Sequence, residues 1–414
     1  MQTGPFFWPN EASAKIVAKR VARVHKPQPG GFAAMTTPGA PEHESSSLWY
    51  LHLLPSALIF GLLVCLVPAV VQGKVFGGEW AWAPGLGLPL AWRLDGLALL
   101  FGLVISGAGV LVTLYSLVYM RGASHESRYY LYLHTFMLAM LGLVMADHLL
   151  LLFLFWELTT ITSYLLIGFN HEDETARRSA RQALFVTGGG GFALLLGALL
   201  LEGTGTSAYL HAWLTGPQDL LAHGRYPLIL ACMLLAVFTK SAQFPFHFWL
   251  PNAMSAPTPI SAFLHSATMV KAGIYLLMRL HPLLGGTALW MGSLVVIGGV
   301  TALWGAASAM GPVDLKRVLA HTTLMGLGML TMFMGGRSLP TMVAATTFLL
   351  VHALYKAALF LAAGIIDHQT GTRRLDRLGG LLRQLPWTAS ATTLAALSTV
   401  SYTHLTLPTT GSLG

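Results

Sequence analysis

Charge is scarce in this chain: Asp, Glu, Lys and Arg make up only 10% of its 414 residues. A globular domain in water carries roughly 25%, so this sequence cannot cover a surface wetted on all sides. Cysteine is nearly absent as well. Cys65 and Cys232 both lie inside apolar runs, where a free cysteine acts as a small core residue. No CxxC occurs, which argues against a cysteine-ligated iron–sulfur cluster or zinc site, and no metal or cofactor is expected. The alternating segments of a large transmembrane barrel are missing. So is the apolar stretch that would make the basic N-terminal region a signal peptide.

Apolar residues fill the space that charge leaves. Hydrophobic residues are 54% of the chain and the mean hydropathy is +0.63. Apolar runs of about 18 or more residues recur, each long enough to cross a ~30 Å hydrocarbon core as a helix. The sequence predicts spans near 48–71, 95–119, 130–146, 149–169, 180–202, 227–244, 258–280, 288–310, 318–335 and 342–366. An eleventh begins near 386 and is expected to break after about fourteen residues, where the chain turns polar. The fold class is therefore all-α, a polytopic membrane helix bundle in contact with lipid.

The formal charge of +8 does not point to nucleic acid in such a chain; it has to be read loop by loop. Lys15, Lys19, Arg20, Arg23 and Lys26 of the N-terminal region fall on one side. With them fall Arg121, Arg128, Arg177, Arg178, Arg181, Lys316, Arg317, Arg373, Arg374, Arg377 and Arg383. The other side holds Lys74, Arg93, Arg225, Arg279 and Arg337. The richer side is expected to be cytoplasmic, N-terminus included. Residues 1–47 read as a disordered cytoplasmic tail, with Met35 a second candidate start. Residues 48–400 read as the membrane domain. Residues 401–414, SYTHLTLPTTGSLG, read as a foreign tail on a fragment.

Ionisable residues deep in a membrane cost ~2.5–3.5 kcal/mol on insertion scales, so each is a functional candidate. Glu157 lies about eight residues inside its span, with no cation one helical turn away, so its partner has to come from another helix. Lys240 precedes Pro245 by five residues, and Pro251 follows. Proline removes a helix hydrogen bond and crowds the preceding turn, which predicts a broken helix lining a cavity. His265 and Lys271 share the next long span. His352 and Lys356 are four residues apart and so lie on one helix face, spaced to pass a proton directly or through one water. His321 is a weaker candidate. Asp147 and His148 read as an interfacial turn, and Gly188–Gly191 as a site of close helix packing.

Four stretches carry a resemblance. WELTTITSYLLIGF, FTKSAQFPFHFWLPNAMSAPTPISAFLHSATMVKAGIYLL, KRVLAHTTLMGLGML and HALYKAALFLAAGIIDHQTGTRRLDRLGGL resemble the antiporter-like proton-translocating subunits. That family takes in the large membrane-arm subunits of respiratory complex I and the multisubunit Mrp-type sodium/proton antiporters. RLDGLALLFGLVISGAGVLVTLYSLVYM and GIIDHQTGTR look most like the A-type subunit of the Mrp antiporters. The resemblance covers residues 50–400. It implies two inverted five-helix repeats, each with a broken helix, the second repeat incomplete here and the first family helix missing. It implies that Glu157 is the glutamate of helix five, Lys240 the lysine of broken helix seven, and Lys271 the relay lysine of helix eight. His352 and Lys356 match the central relay of the second repeat. His321 departs from the pattern, standing where the family commonly has tyrosine. The implied activity is transport, protons moving along a buried Glu/Lys/His track coupled to Na⁺ or another monovalent cation, in a bacterial inner membrane and among other antiporter subunits. A membrane arm of complex I or of a membrane-bound hydrogenase is the alternative within this family. A membrane redox protein binding haem or quinone is the alternative outside it.

Overall fold

In the computed structural model, residues 49–405 are described except 84, 86–87, 124, 215–218 and 337. The expected N-terminal tail (1–47), Arg337, and residues 406–414 of the expected foreign tail lie outside the described residues. The described chain is a bundle of helices: α1 (Leu54–Val71), α2 (Gly96–Tyr119), α3 (Glu126–Met145), α4 (Leu149–Ile167), α5 (Glu174–Glu202), α6 (Tyr226–Lys240), α7 (Thr258–Ala262), α8 (Met269–Leu284), α9 (Ala288–Ala309), α10 (Leu315–Phe333), α11 (Leu339–Thr370) and α12 (Pro386–Leu405). Seven of the described helical segments are long and apolar enough to span a membrane, counting α7, its following turn and α8 as one continuous stretch, Thr258–Leu284. The chain is a multi-pass membrane protein.

Helix ends follow local chemistry. Asp95, Asp173, Asp314 and Ser338 precede α2, α5, α10 and α11, and each side chain accepts a bond from a first-turn N–H that has no partner inside the helix. Gly371 closes α11 at φ 69°, a left-handed stop that glycine takes without a Cβ clash. α12 runs to Leu405, beyond the break expected near 400. Ser401, Tyr402, Thr403 and His404 are polar but helix-compatible, and the first strong breaker is Pro408.

The span expected at 227–244 ends early, at Lys240. Ala242 turns left-handed (φ 49°), and Pro245 has no N–H to continue the ladder. Short helical turns at Phe246–Phe248, Trp249–Asn252 and Ala253–Ser255 follow, with Pro251 inside the second. Carbonyls released by the break find new donors: the Trp249 indole donates to Thr239 O at 3.0 Å. Phe244 N donates to Thr301 Oγ1 at 2.9 Å.

A hairpin that hydropathy does not reveal joins α1 to α2. Strand β1 (Phe76–Ala83) pairs antiparallel with β2 (Leu88–Leu94), Phe76 opposite Leu94 and Trp80 opposite Leu90. Asp95, at its end, meets Arg279 of α8 in a bidentate pair, 2.5 and 2.8 Å, and ties hairpin and α2 to the bundle. Burial raises the Asp95 carboxyl, but the hydrogen bonds and charge of Arg279 outweigh it and hold the group below its ordinary value. Arg279, expected in a surface loop, is thus a largely buried structural cation. Asp147 and His148 form the expected turn, yet both are buried, and Asp147 Oδ2 lies 2.6 Å from His211 Nδ1.

Candidate functional site

Glu157 lies midway along α4, half-buried, with Oε1 shut off from solvent and lacking a hydrogen-bond partner in the protein. Its seat is the glycine run of α5. A Cβ on Gly191 would collide with the Glu157 carboxylate, and one on Gly190 would collide with the Thr239 side chain of α6. Gly188 would stand at an ordinary 3.8 Å from Glu157 Oε2, and Gly189 faces open space. The run was legible as close packing; what it packs against was not.

Lys240 ends α6 at the break and is fully buried. Its Nζ donates to Trp156 O at 3.1 Å and Thr160 Oγ1 at 2.8 Å, and sits 5.0 Å from the Trp156 ring centroid. These contacts bracket Glu157 along α4 without a direct ion pair to it. The two charges still act on each other, so the pair expected from the sequence is adjacent but open.

A second irregularity holds the next two residues. Between α7 and α8 the chain makes a π turn, Phe263–Ala267, which carries His265. Such widened turns are frequent at functional sites. The turn frees the Ser266 carbonyl, and buried Lys271 Nζ donates to it. His265 is fully buried, its ring 6.2 Å from that of Trp249, and neither ring nitrogen has a partner.

On α11, His352 and Lys356 share one buried face as expected. Lys356 Nζ donates to Leu319 O at 3.1 Å and to the Thr322 hydroxyl, both on α10. Both His352 nitrogens are buried and unpaired, and Gly326 of α10 makes room for the ring: a Cβ there would stand 2.5 Å from Nε2. Lys271 acts electrostatically on His352 and on Lys356, which joins the two halves of the set. His321 stands apart. It is half-buried, and its charged neighbours are His247 and Arg317.

Lys316 belongs with the buried group, although loop-charge counting puts it among the cytoplasmic cations. It is 1% exposed, and its Nζ donates to Ala256 O at 2.6 Å, where the broken segment leads into α7. Its charge reaches His265. Nearby Asp314 makes the segment read as a loop; only tertiary packing turns Lys316 inward. Among the described residues, Lys240, Lys271, Lys316 and Lys356 make no ion pair. Carbonyls and hydroxyls solvate them instead. Such a set can gain or lose protons without breaking a salt bridge, and no cluster of three or more His, Cys, Asp or Glu residues suited to a metal occurs among the described residues.

Known proteins share this architecture. The family described as "NADH:quinone oxidoreductase/Mrp antiporter, TM" matches residues 146–412. One described as the N-terminus of chain 5 of NADH-ubiquinone oxidoreductase (complex I) matches residues 80–130. A protein of Rhizobium meliloti, named as a probable K(+)/H(+) antiporter component of the A/B type, is 45% identical over 331 residues, which cover 80% of this chain and 33% of that protein. The A-type component of the Na(+)/H(+) antiporter of Alkalihalophilus pseudofirmus is 42% identical over 367 residues, covering 84% and 45%. The chain thus spans less than half the length of these curated relatives. A chain in the structure of the Mrp complex from Dietzia sp. DQ12-45-1b is 39% identical with a TM-score of 0.77, covering 84% of this chain and 38% of that one. A chain of the archaeal membrane-bound sulfane sulfur reductase is 22% identical with a TM-score of 0.76, covering 86% and 74%, a likeness of fold.

Proposed function

The chain belongs to the NADH:quinone oxidoreductase/Mrp antiporter family, and from that premise we propose that it is part of a monovalent cation/proton antiporter. Protons move along Glu157, Lys240, Lys271, His265, His352 and Lys356, and their movement is coupled to exchange of Na⁺ or K⁺. The supporting observation is the row of buried lysines held by carbonyls and hydroxyls, next to a glutamate whose Oε1 has no partner. Moving one charge across the membrane exchanges ~2.3 kcal/mol per 100 mV with the potential. One pKa unit is worth about 1.4 kcal/mol, so modest changes in proton affinity along the track are enough for coupling. Relatives named for K(+) and for Na(+) leave the cation as a class. The protein works with other antiporter subunits in a bacterial inner membrane.

Glu157→Gln keeps the side chain's shape and removes its switchable charge. In the assembled complex it lowers ion-driven proton movement by at least about tenfold, the effect of roughly 1.4 kcal/mol, while assembly persists. Unchanged exchange in everted vesicles rejects the track as drawn.

The charge bias places the loop that follows α11, after Thr370, in the cytoplasm. With Cys65 replaced by Ser, a membrane-impermeant thiol label reacts with Gly379→Cys only from the cytoplasmic side and with Gly224→Cys only from outside. Both glycines are exposed, and neither would meet a neighbour within 4 Å on gaining a Cβ. The opposite labelling pattern overturns the orientation.

A further inference from the structure

On the membrane face where α3 begins, α4 ends and α5 begins lies a cavity of about 180 Å³. Arg128 and Tyr132 of α3, Tyr164 and Leu165 of α4, and Arg177 of α5 line it, and no carboxylate does. Arg128 is poorly satisfied by the protein. One Nη donates to Phe169 O at a long 3.4 Å, the guanidinium lies 5.2 Å from the Phe169 ring centroid, and Nε is buried without a partner. Arg177 is held in place by Nη1 bonds to His171 O and Glu172 O, at 2.6 and 2.9 Å. Two guanidinium groups line one small cavity, and a phosphate accepts paired N–H bonds in the geometry an arginine presents.

The surroundings say what carries the phosphate. An adjoining cavity shares Arg128, Phe169 and His171 and is lined also by Glu172 and Asp173. Those carboxylates disfavour an anion in the adjoining cavity and leave the carboxylate-free one for it. From the carboxylate-free cavity an apolar stripe runs along α4. Leu165 lies in the wall, and Ile161, Leu158 and Leu154 follow at three- and four-residue spacing, 50%, 37% and 38% exposed. Tyr132 and Tyr164 stand where the two environments meet, the usual place of tyrosine at a membrane interface. A cationic cavity above an exposed apolar stripe matches an anionic headgroup with its acyl chain.

We propose that Arg128 and Arg177 bind the phosphate of an anionic phospholipid whose acyl chain lies along Leu154, Leu158, Ile161 and Leu165. The test incubates the purified chain with vesicles of equal parts phosphatidylglycerol and phosphatidylcholine, then counts retained lipid by native mass spectrometry. The wild type retains phosphatidylglycerol preferentially. Arg128→Gln lowers that retention by about tenfold, in line with loss of a charge-assisted contact, and Arg128→Lys restores part of it. Arg178→Gln, an exposed arginine outside the cavity, leaves it unchanged. Leu165→Trp fills the cavity with both charges kept and also expels the lipid, which covers the case of an Arg128 variant that folds poorly. Equal retention of the two lipids, equal loss in Arg128→Gln and Arg178→Gln, or retention in Leu165→Trp overturns the proposal. Binding of inorganic phosphate with no lipid retained overturns it too, because the site is then one for free phosphate.

Discussion

Lys240→Ala and Lys240→Arg both abolish ion-driven proton movement, and for different reasons. Lys240 is fully buried at the point where α6 stops, bound to Trp156 O and Thr160 Oγ1 on either side of Glu157. Alanine removes the cation. The half-buried Glu157 then loses the cation beside it, and an ionised carboxylate with no compensating charge is disfavoured in a membrane interior, so in this variant the carboxyl takes up a proton and stays neutral. Arginine keeps the cation and holds Glu157 ionised, but a guanidinium does not release its proton at any working pH. It also has to fit beside the Trp156 ring, which now stacks on an ammonium. Infrared difference spectra separate the two states. A protonated carboxyl band that vanishes in Glu157→Gln appears in the alanine variant and is missing from the arginine variant. A Lys240→Arg protein that exchanges ions at the wild-type rate makes Lys240 a fixed counter-charge, and the track has to be redrawn without it.

The sequence was informative where a residue's cost is set by the membrane, and silent where it is set by packing. Glu157, Lys240, Lys271, His352 and Lys356 stood out because an ionisable group in an apolar run carries a cost that no local contact removes. The break after Lys240 followed from Pro245 for the same kind of reason. Lys316 does not stand out in the sequence, because a lysine beside Asp314 and Arg317 looks like a solvated helix start, and only the fold brings Ala256 O over it. Arg279 reads as a loop charge, because its partner Asp95 lies far away in sequence and next to it only in space. The π turn at Phe263–Ala267 has no composition signal of its own, since Ser266, Ala267 and Thr268 suit an ordinary helix. The β1–β2 hairpin hid between two hydropathy maxima. Its alternation of Gly, Trp and Ala is weak, and its outer face stays exposed. The glycine run fell between these cases: its presence announced a close approach, while the atom approaching it depended on the rotamer of a glutamate one helix away.

That approach makes the four glycines unequal. Gly191→Ala lowers transport by about a hundredfold, the scale of loss that a misplacement of ~1 Å produces in a pre-organised site. Gly189→Ala changes it by less than about twofold, since most surface substitutions stay within roughly 0.5 kcal/mol. The new methyl at 191 occupies the space of the Glu157 carboxylate, whereas a methyl at 189 meets nothing within 4 Å. Both changes replace glycine inside a helix by alanine, the better helix former by roughly 0.5–1 kcal/mol. Helix stability therefore moves the same way in both and cannot account for a difference. The carboxylate can only yield by swinging off α5, which changes its separation from Lys240 and with it the balance of the open pair. A shifted pH profile for the residual exchange of Gly191→Ala marks that displacement, because a merely misfolded protein loses amplitude at every pH alike. Gly190→Ala provides the intermediate case, pressing on Thr239 next to Lys240 and not on Glu157 itself. Equal exchange rates for Gly191→Ala and Gly189→Ala, at equal amounts of assembled protein, mean that Glu157 does not work from the position it holds against α5.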